Sequence, residues 1–498
     1  MKTYSNEPDS GPISGKELLR KIAGDFVGLD TVYPTVSGRK RRRVYMDSTA
    51  STLMMGVAHR TMSAFLEHYA NTHSVAHNGA TLATEAFRQA HERILDFVNA
   101  DPQQYTCFFA GSGTTAGINR LSRVYRDLRP DKDTAVVSIM EHHSNDLPHR
   151  KHMDRVIHLP AADTGTESRL IDLVKLEEVL KAEKGRVNYV AITGVSNVTG
   201  FVNPVYDIAA IAHAHDALII IDGAQMAAHL PITMSGHADS GEDLDGLVFS
   251  GHKTYVPGSP GVVIAKKEHL AAIEPDEVGG GIVDRVSEER YVISPDFPER
   301  EEAGTPNIPG AIGLAVVVDV LGRIGMDVLA KEEDHLLKYA LDRMSNLEQV
   351  RIYGCLDTEA CPRVASIAFN VGGVSHALVA AMLNDYHNIA VRNECFCAHP
   401  YVMSLMPGDS KRFREMSDEE WRNLKGPKPG MVRASFGLYN TKADADRLIT
   451  ALEDLIEHQE HYLSVYELGD DHVYRHPDFR LNHDQHFSID QQVAKELG

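Results

Sequence analysis

The chain is poor in cysteine for its length and has no long apolar run. Its 498 residues include five cysteines, an odd and sparse set that argues against a disulfide framework. The longest apolar stretches, at 217–221 and 313–321, fall well short of the roughly 20 residues that span a bilayer, so no transmembrane helix is expected. The first residues also lack the charged-then-apolar pattern of a secretory signal. A reducing cytoplasm is therefore the expected location.

Positive charge is also in deficit. The chain has 50 Lys and Arg residues against 70 Asp and Glu residues, which gives a net charge of −20. This balance argues against nucleic acid as a partner, because most of the surface would repel a polyanion. A basic run, RKRRR at 39–43, is the exception, and a solvated loop is favoured there over a nucleic-acid or localisation patch. With 43% hydrophobic and 24% charged residues, the composition is that of a soluble globular protein with two or three packed units.

Strand and helix signals alternate along the first three hundred residues, and no internal repeat interrupts them. The predicted strands lie at 134–139, 189–195, 217–221 and 247–249, and the predicted helices between them include 85–98 and 205–215. This alternation predicts a mainly parallel sheet covered by helices, hence an α/β fold.

After about residue 310, longer helices and a few strands predict a second, smaller α/β unit. We therefore divide the chain into an N-terminal arm (1–44), a large domain (45–310), a small C-terminal domain (311–462) and a polar C-terminal extension (463–498). The extension is rich in His and Asp, but no metal-ligand spacing repeats in it, so a solvated or partner-covering segment is favoured over a metal site. The last helix of the small domain is predicted to begin at a cap formed by Thr441 and Asp444.

Polar residues of several types directly follow four predicted strands. They are EHHSN at 141–145, Ser196 and Asn197, DGAQ at 222–225 and SGHK at 250–253. In an open parallel sheet the ligand crevice forms beyond the carboxyl ends of the strands. An acid, an amide, imidazoles and a lysine are therefore predicted to converge on one site.

A lysine beside a hydroxyl and an imidazole, opposite an aspartate that ends another strand, meets the needs of a pyridoxal phosphate (PLP) site. The amine of Lys253 can bond the cofactor, and the carboxylate of Asp222 can keep the pyridine nitrogen protonated. Taken singly, Lys253 reads as a surface lysine and Asp222 as a turn residue. The glycine-rich stretch 111–117 suits a phosphate at a helix N-terminus, but its spacing fits neither a dinucleotide fingerprint nor a P-loop.

These motifs together resemble the class V aminotransferase family, and within it the SUF-type cysteine desulfurases and selenocysteine lyases. The resemblance covers residues 44–457 and rests on an ordered set of motifs. They are YMDSTAS (45–51), GTTAGIN (113–119), EHHSN (141–145), VSNVTG (195–200), DGAQ (222–225), FSGHK (249–253), GGG (279–281), EAGTPN (302–307) and RASFGLYNT (433–441). It implies the PLP-dependent fold type I, with a mainly parallel seven-stranded sheet between helices in the large domain.

The resemblance also implies roles for individual residues toward PLP. Lys253 would bind the cofactor covalently, Asp222 would face the pyridine nitrogen, Gln225 would bond the ring hydroxyl, and His142 would stack on the ring and shuttle protons. Asn197 would lie near the ring and the substrate. The residues that would hold the phosphate are Thr114, Thr115, Ser250 and His252, with Thr305 reaching it from the other subunit of a homodimer.

For the substrate, the resemblance implies that Arg433 binds the carboxylate and that Arg392, Asn197 and His73 also belong to the substrate-binding site. Cys397 falls on the position of the nucleophilic cysteine. Three departures from the family pattern affect this part of the chain. Glu394-Cys395-Phe396 stands where the family has Gly-His-His, Ser74 follows His73 where an arginine is usual, and the segment 403–431 is enlarged.

Three functions are weighed from these features. The first is a PLP-dependent desulfurase that releases sulfur from L-cysteine, or selenium from selenocysteine, as a Cys397 persulfide with alanine as product. It could pass sulfur to an acceptor protein. The second is a class V enzyme without the thiol step, such as an aminotransferase, an epimerase or a carbon–sulfur lyase, in which Cys395 and Cys397 are apolar fillers. The third, a scaffold of the same fold, is disfavoured because Lys253 and Asp222 are both present. No metal, membrane or nucleic-acid partner is expected.

Overall fold

The computed structural model describes residues 13–72, 74–161, 170–236, 240–406, 415–424, 426 and 428–498. Its strands are β1 (Val32–Pro34), β2 (Lys40–Arg42), β3 (Val44–Tyr45), β4 (Tyr105–Ala110), β5 (Thr134–Ser138), β6 (Arg155–Leu159), β7 (Val187–Thr193), β8 (Leu218–Asp222), β9 (Gly246–Ser250), β10 (Gly261–Lys266), β11 (Val283–Val286), β12 (Tyr291–Ile293), β13 (Val350–Ile352), β14 (Ser366–Val371), β15 (Ile389–Ala390), β16 (Arg392–Glu394), β17 (Met431–Ser435), β18 (Glu467–Leu468) and β19 (Tyr474–Arg475).

The α-helices surround and link these strands. They are α1 (Gly15–Ile22), α2 (Gly56–Leu66), α3 (Asn78–Phe97), α4 (Gly113–Leu128), α5 (Leu147–His152), α6 (Leu173–Glu183), α7 (Val205–Ala214), α8 (Lys267–Ala271), α9 (Ile308–Ile324), α10 (Met326–Ser345), α11 (His376–His387), α12 (His399–Leu405), α13 (Asp418–Arg422), α14 (Lys442–Glu457), α15 (Gln459–Val465) and α16 (Ile489–Leu497). Short 3-10 turns occur at His143–Asn145, Gly251–Lys253, Glu299–Glu301 and His483–Gln485.

A seven-stranded sheet forms the centre of the large unit, in the order β4-β10-β9-β8-β7-β5-β6. Strands β5 to β9 pair in parallel, and β10 runs antiparallel to both β4 and β9. Every residue of β7 and β8 is buried, because helices cover both faces of a parallel sheet. The prediction of an α/β fold with a mainly parallel sheet is confirmed.

The structure moves several predicted boundaries, and those of β7 and α3 have a clear physical reason. Strand β7 begins two residues earlier than its predicted range, so that the polar Asn188 lies inside a buried strand. Its Nδ2 donates to the carbonyl of Tyr125 at 2.9 Å, which satisfies the donor side of this buried amide. Helix α3 begins at Asn78 rather than at 85, because the ring of His77 accepts a hydrogen bond from the backbone of Ala80 and caps the first turn.

The smaller unit contains a four-stranded antiparallel sheet in the order β13-β14-β17-β16. Helices α10, α11 and α14 pack on this sheet around a core of their own. The cap predicted for α14 is present, since Thr441 and Asp444 exchange side-chain and backbone hydrogen bonds. The predicted boundary at 310/311 falls inside α9, whose buried residues belong to the core of the large unit.

Strand β3 and the C-terminal extension pack on this smaller unit, whereas helix α1 packs mainly on α9 of the large unit. Strand β3 pairs in parallel with β15. Near the other end, Tyr466 donates to Asp385 at 3.0 Å, and the buried His476 contacts the rings of Tyr386 and Tyr466. Helix α16 has no buried residue. Among the helices that the structure describes, none is both long enough and apolar enough to cross a membrane.

Candidate active site

A cavity of about 330 Å³ lies beyond the carboxyl ends of the parallel strands, between the large and the small unit. All of the predicted site residues except Thr305 and His73 line it: Thr114, Thr115, His142, Asn197, Asp222, Gln225, Ser250, His252, Lys253, Arg392, Cys397 and Arg433. The predicted convergence of four strand ends on one site is therefore seen in the structure. His73 lies outside the described residues.

One end of the cavity is formed by the N-terminus of α4 and by hydroxyl groups. The Oγ of Ser250 accepts from the Thr114 amide at 2.7 Å and lies 2.7 Å from the Thr114 hydroxyl, and the Thr115 hydroxyl lies 2.7 Å from that of Ser144. Gly113 has φ +61°, and a Cβ there would come within 2.6 Å of Ser250 Oγ. Free amides at a helix N-terminus and several hydroxyls form a site suited to a phosphate group.

Asp222 and Lys253 lie in the centre of the cavity lining. Asp222 ends β8, is almost completely buried and accepts a hydrogen bond from the Ala224 amide at 2.9 Å. Burial raises the pKa of this carboxyl, while the Ala224 amide and the charge of Lys253 oppose the shift. Lys253 follows β9 on a 3-10 turn, and burial lowers the pKa of its amine despite the charge of Asp222. A lysine with a lowered pKa is a better nucleophile at neutral pH.

Two histidines of the lining are held neutral. Burial lowers the pKa of His142 to about 3, and the charge of Lys253 adds to this effect. Its Nδ1 accepts from the Ser144 amide at 3.1 Å, which fixes the ring orientation. Burial similarly lowers the pKa of His252 to about 4, and its Nδ1 lies 3.3 Å from Ser51 Oγ. Both rings are uncharged at physiological pH.

Two arginines lie side by side on the small unit's wall of the cavity. Arg392 and Arg433 are register partners on β16 and β17. Arg433 is buried and donates to the Asn197 carbonyl at 2.6 Å and to Asp47 at 3.3 Å. Burial lowers its pKa to about 10, so the guanidinium stays charged at neutral pH. Paired guanidinium groups are suited to binding a carboxylate.

Three residues of the segment 392–397 have a left-handed backbone: Glu394 (φ +87°), Phe396 (φ +52°) and Cys397 (φ +55°). Cys397 is exposed and lines the cavity. Cys395 is buried and donates to the Pro429 carbonyl at 3.3 Å, and burial raises its pKa to about 12. Both cysteines belong to the cavity lining, but only Cys397 is exposed, so its thiol is the one able to react with a bound molecule.

Gln225 and Asn197 both bond backbone groups at the rim of the site. Gln225 donates to the Thr49 carbonyl at 2.8 Å, and Asn197 donates to the Phe396 carbonyl at 2.8 Å. Thr305 lies outside the cavity, where its hydroxyl accepts from Asn71 at 3.2 Å. In the single chain it does not reach the hydroxyl groups at the phosphate end.

Sequence reasoning missed two acids near the site. Asp47 forms an ion pair with Arg433. The motif at 45–51 contains this acid but indicates no role for it. Glu141 is buried and accepts from Ser138 and Asn145, each at 2.6 Å. Burial raises the pKa of Glu141 to about 8 against these hydrogen bonds, and the charge of Asp222 adds to the rise. Glu141 is therefore mostly neutral at pH 7, and no sequence signal indicated its burial.

Comparison with known proteins agrees with this fold. The family model for Aminotransferase class-V matches residues 44–448, and the chain belongs to that family. A probable cysteine desulfurase from Halalkalibacterium halodurans is 35% identical over 84% of this chain and 94% of its own length. A cysteine desulfurase from Salmonella typhimurium is 32% identical over 82% of this chain and 92% of its own length.

Solved structures give the same result. The apo cysteine desulfurase from Thermococcus onnurineus superimposes with a TM-score of 0.72 at 28% identity, over 83% of this chain and 95% of that one. The cysteine desulfurase CsdA from Escherichia coli, in an S-sulfonic acid form, gives a TM-score of 0.70 at 26% identity, over 88% of this chain and 98% of that one. The predicted resemblance to cysteine desulfurases is confirmed.

Proposed function

We propose that this chain is a PLP-dependent cysteine desulfurase that moves the sulfur of L-cysteine, or the selenium of selenocysteine, to Cys397 and releases alanine. One observation carries the proposal. The exposed thiol of Cys397 lines the same cavity as Lys253 and the pair Arg392 and Arg433, so an amino acid held there would have a nucleophile beside its side chain. The names of the relatives support this choice of substrate.

The donor set fits PLP. Hydroxyls, amides and an imidazole suit the phosphate, and a buried carboxylate suits a protonated ring nitrogen. The lysine is available, since no hydrogen bond or ion pair to Lys253 occurs within the described residues. The residues that would hold PLP are Thr114, Thr115, His142, Asn197, Asp222, Gln225, Ser250, His252 and Lys253. When bound, PLP supplies an electron sink for the bonds at the substrate α-carbon.

The chain's own residues account for the rest of the chemistry. Arg392 and Arg433 hold the substrate carboxylate and so orient the side-chain sulfur toward the cysteine loop. Lys253 would take the α-proton of the substrate at its Nζ. His142, neutral and fixed by Ser144, is the residue that would contact the cofactor ring.

Sulfur transfer then balances without an added oxidant. The Cys397 thiolate attacks the substrate sulfur, a sulfur–sulfur bond forms, and the carbon–sulfur bond breaks. The electron pair of that broken bond ends on the product carbon, which takes up a proton. The products are one alanine and one persulfide on Cys397.

The deciding experiment incubates the PLP-loaded protein with L-cysteine and quantifies alanine and sulfide. We expect Cys397→Ala to abolish both products and Cys395→Ser, the matched control two residues away, to keep most of the activity because its thiol faces Pro429. Undiminished alanine formation by Cys397→Ala would contradict the thiol step. The alternative function, a class V enzyme without that step, would then be favoured, and the altered residues at 394–396 are the feature that suits it.

We also propose a homodimer in which Thr305 reaches the phosphate of the partner subunit. Thr305 is exposed and lies beside Asn71. Exposed apolar side chains occur on the neighbouring α2 to α3 segment, including Leu66, Tyr69, Val75 and Leu82. We expect sedimentation at the mass of a dimer and a weaker PLP affinity for Thr305→Ala. A monomer with full PLP affinity would contradict this assembly.

The sulfur acceptor and the location belong to the same proposal. The five cysteines, all of which the structure describes, form no disulfide bond, which suits a reducing compartment such as the cytoplasm. An acceptor protein would have to reach the exposed Cys397. Mass spectrometry of proteins captured by the persulfide form would identify that acceptor.

A further inference from the structure

His143 joins two loops of the site. One loop carries His142, and the other carries Cys397. The backbone amide of His143 donates to the Cys397 carbonyl at 2.7 Å. The ring of His143 also lies 3.2 Å, between Nε2 and Nδ1, from that of His399. The two rings are stacked, with centroids 5.1 Å apart and an angle of 6° between their planes. These contacts join the large unit to the small one directly above the cavity.

The docked conformation needs such support. Phe396 and Cys397 both have positive φ, which is disfavoured for residues with a Cβ. Two consecutive residues keep this conformation only where surrounding contacts impose it. The Asn197 amide bonded to the Phe396 carbonyl supplies one contact, and the contacts of His143 supply the others.

We propose that His399 is a positioning residue that holds Cys397 over the cavity through its hydrogen bond and stack with His143. The proposal deepens the proposed function, on which it rests, by naming what orients the attacking thiol. His399 does not touch the substrate in this account. It acts two residues after Cys397, at the start of α12, and Trp421 packs edge-on against its ring at 6.1 Å.

The bond between the rings constrains their protonation. One ring nitrogen must donate and the other must accept, so the pair tolerates at most one proton beyond the neutral state. Asp146 and Arg150 face His143, and Glu394 and Lys428 face His399. Burial lowers the pKa of both rings. The hydrogen bond is therefore intact near pH 7 and is lost when acid adds the second proton.

Hydrogen–deuterium exchange of the full-length, PLP-loaded protein tests this proposal. In His399→Phe a ring remains but the hydrogen bond is lost, and we expect the amides of His143 and of 394–398 to exchange about 2- to 12-fold faster. In His399→Gln the side-chain amide can still donate to His143, so we expect exchange close to that of the wild type. His335→Phe, a change at an exposed histidine remote from the cavity, is the matched control.

Turnover and pH give two further readouts. We expect His399→Phe to lower kcat for alanine formation with little change in KM for L-cysteine, and His399→Gln to restore it. Because burial holds the pKa of both rings below the ordinary value of 6.5, the protection of the His143 amide, corrected for intrinsic rates, is expected to stay flat from pH 7.5 to pH 6.5 in the wild type and to fall only in more acidic solution, with no such fall in His399→Phe.

Two results would overturn the proposal. The first is that the amides of His143 and of 394–398 exchange equally fast in the wild type and in His399→Phe. The second is that these amides exchange as fast in His399→Gln as in His399→Phe. Hydrogen–deuterium exchange of the amides is measured without substrate turnover. A protein that makes no alanine from L-cysteine yet shows the expected protection pattern would therefore refute the proposed function and leave the docking contact standing.

Discussion

The two halves of the cavity are built in different ways. The half formed by the large unit consists of residues at the ends of buried strands and at the start of α4, where the backbone is fixed by the sheet. The half formed by the small unit combines two paired strands, β16 and β17, with the segment 394–397, which has three left-handed residues and is held by side chains from other elements. The sheet therefore fixes the cofactor half, whereas the position of the Cys397 thiol depends on a few tertiary contacts.

The largest expected effect distinguishes the chemical step of the cofactor half from that of the cysteine half. Lys253→Ala should lower the rate of α-hydrogen exchange of L-cysteine in D₂O by about 10³-fold or more, because both the covalent anchor and the base are lost. Cys397→Ala should keep this exchange, since the α-proton leaves before the thiol acts. Proton NMR measures the exchange, and equal loss in both variants would show that the halves do not act separately.

The next effect tests the rigidity of the phosphate end. Gly113→Ala should weaken PLP binding by about 10-fold or more, since the new Cβ needs φ +61° and would lie 2.6 Å from Ser250 Oγ. Gly111→Ala is the matched control, because a Cβ there has open space and no positive φ to adopt. Titration of the apo forms with PLP checks both. Similar affinities for the two variants would argue against a phosphate at this end.

A third effect concerns the buried acid behind the cofactor half. The folded pKa of Glu141 is about 8, above its ordinary value of 4.5, so its contribution to stability is present below pH 4.5 and is lost as the pH rises toward 8. Glu141→Gln removes this titration. Thermal melts from pH 5 to pH 8 should therefore show the wild-type Tm falling by a few degrees relative to the variant. Parallel curves would contradict the assignment.

The smallest effect probes the cysteine half. Glu394 has φ +87°, so Glu394→Gly should raise the free energy of unfolding by about 1 kcal/mol through relief of the left-handed conformation. Asn393→Gly, at the neighbouring position without positive φ, should lower it by a similar amount. Chemical denaturation compares the two variants. Destabilisation by both would mean that the loop does not store strain at 394.

Much of the cofactor half could be predicted from the sequence. The carboxyl ends of parallel strands meet at one edge of a sheet, so residues such as Asp222 and Lys253 were placed together as soon as the strands were recognised. Strand β7 begins earlier than predicted, because the buried side chain of Asn188 forms a hydrogen bond there. The cap of α14 followed from local hydrogen bonding between Thr441 and Asp444.

The cysteine half could be predicted only in outline. Its motif identified Cys397 and Arg392 as candidates, but not which of the two thiols is exposed and which is buried. The difference between Cys395 and Cys397 arises from burial against Pro429 and from the left-handed bend, and neither is visible in the residue pattern. The contact between His143 and His399 joins residues 256 positions apart, and no local spacing indicates it.

The amino-acid sequence by itself thus determined the α/β class, the parallel sheet, the family and the residues at the strand ends, because periodicity and motif order are local properties of the chain. Only the tertiary structure decided which acids are neutral, which thiol is exposed and what holds the cysteine loop. Desolvation, and contacts between side chains distant in sequence, depend on how the two units pack against each other.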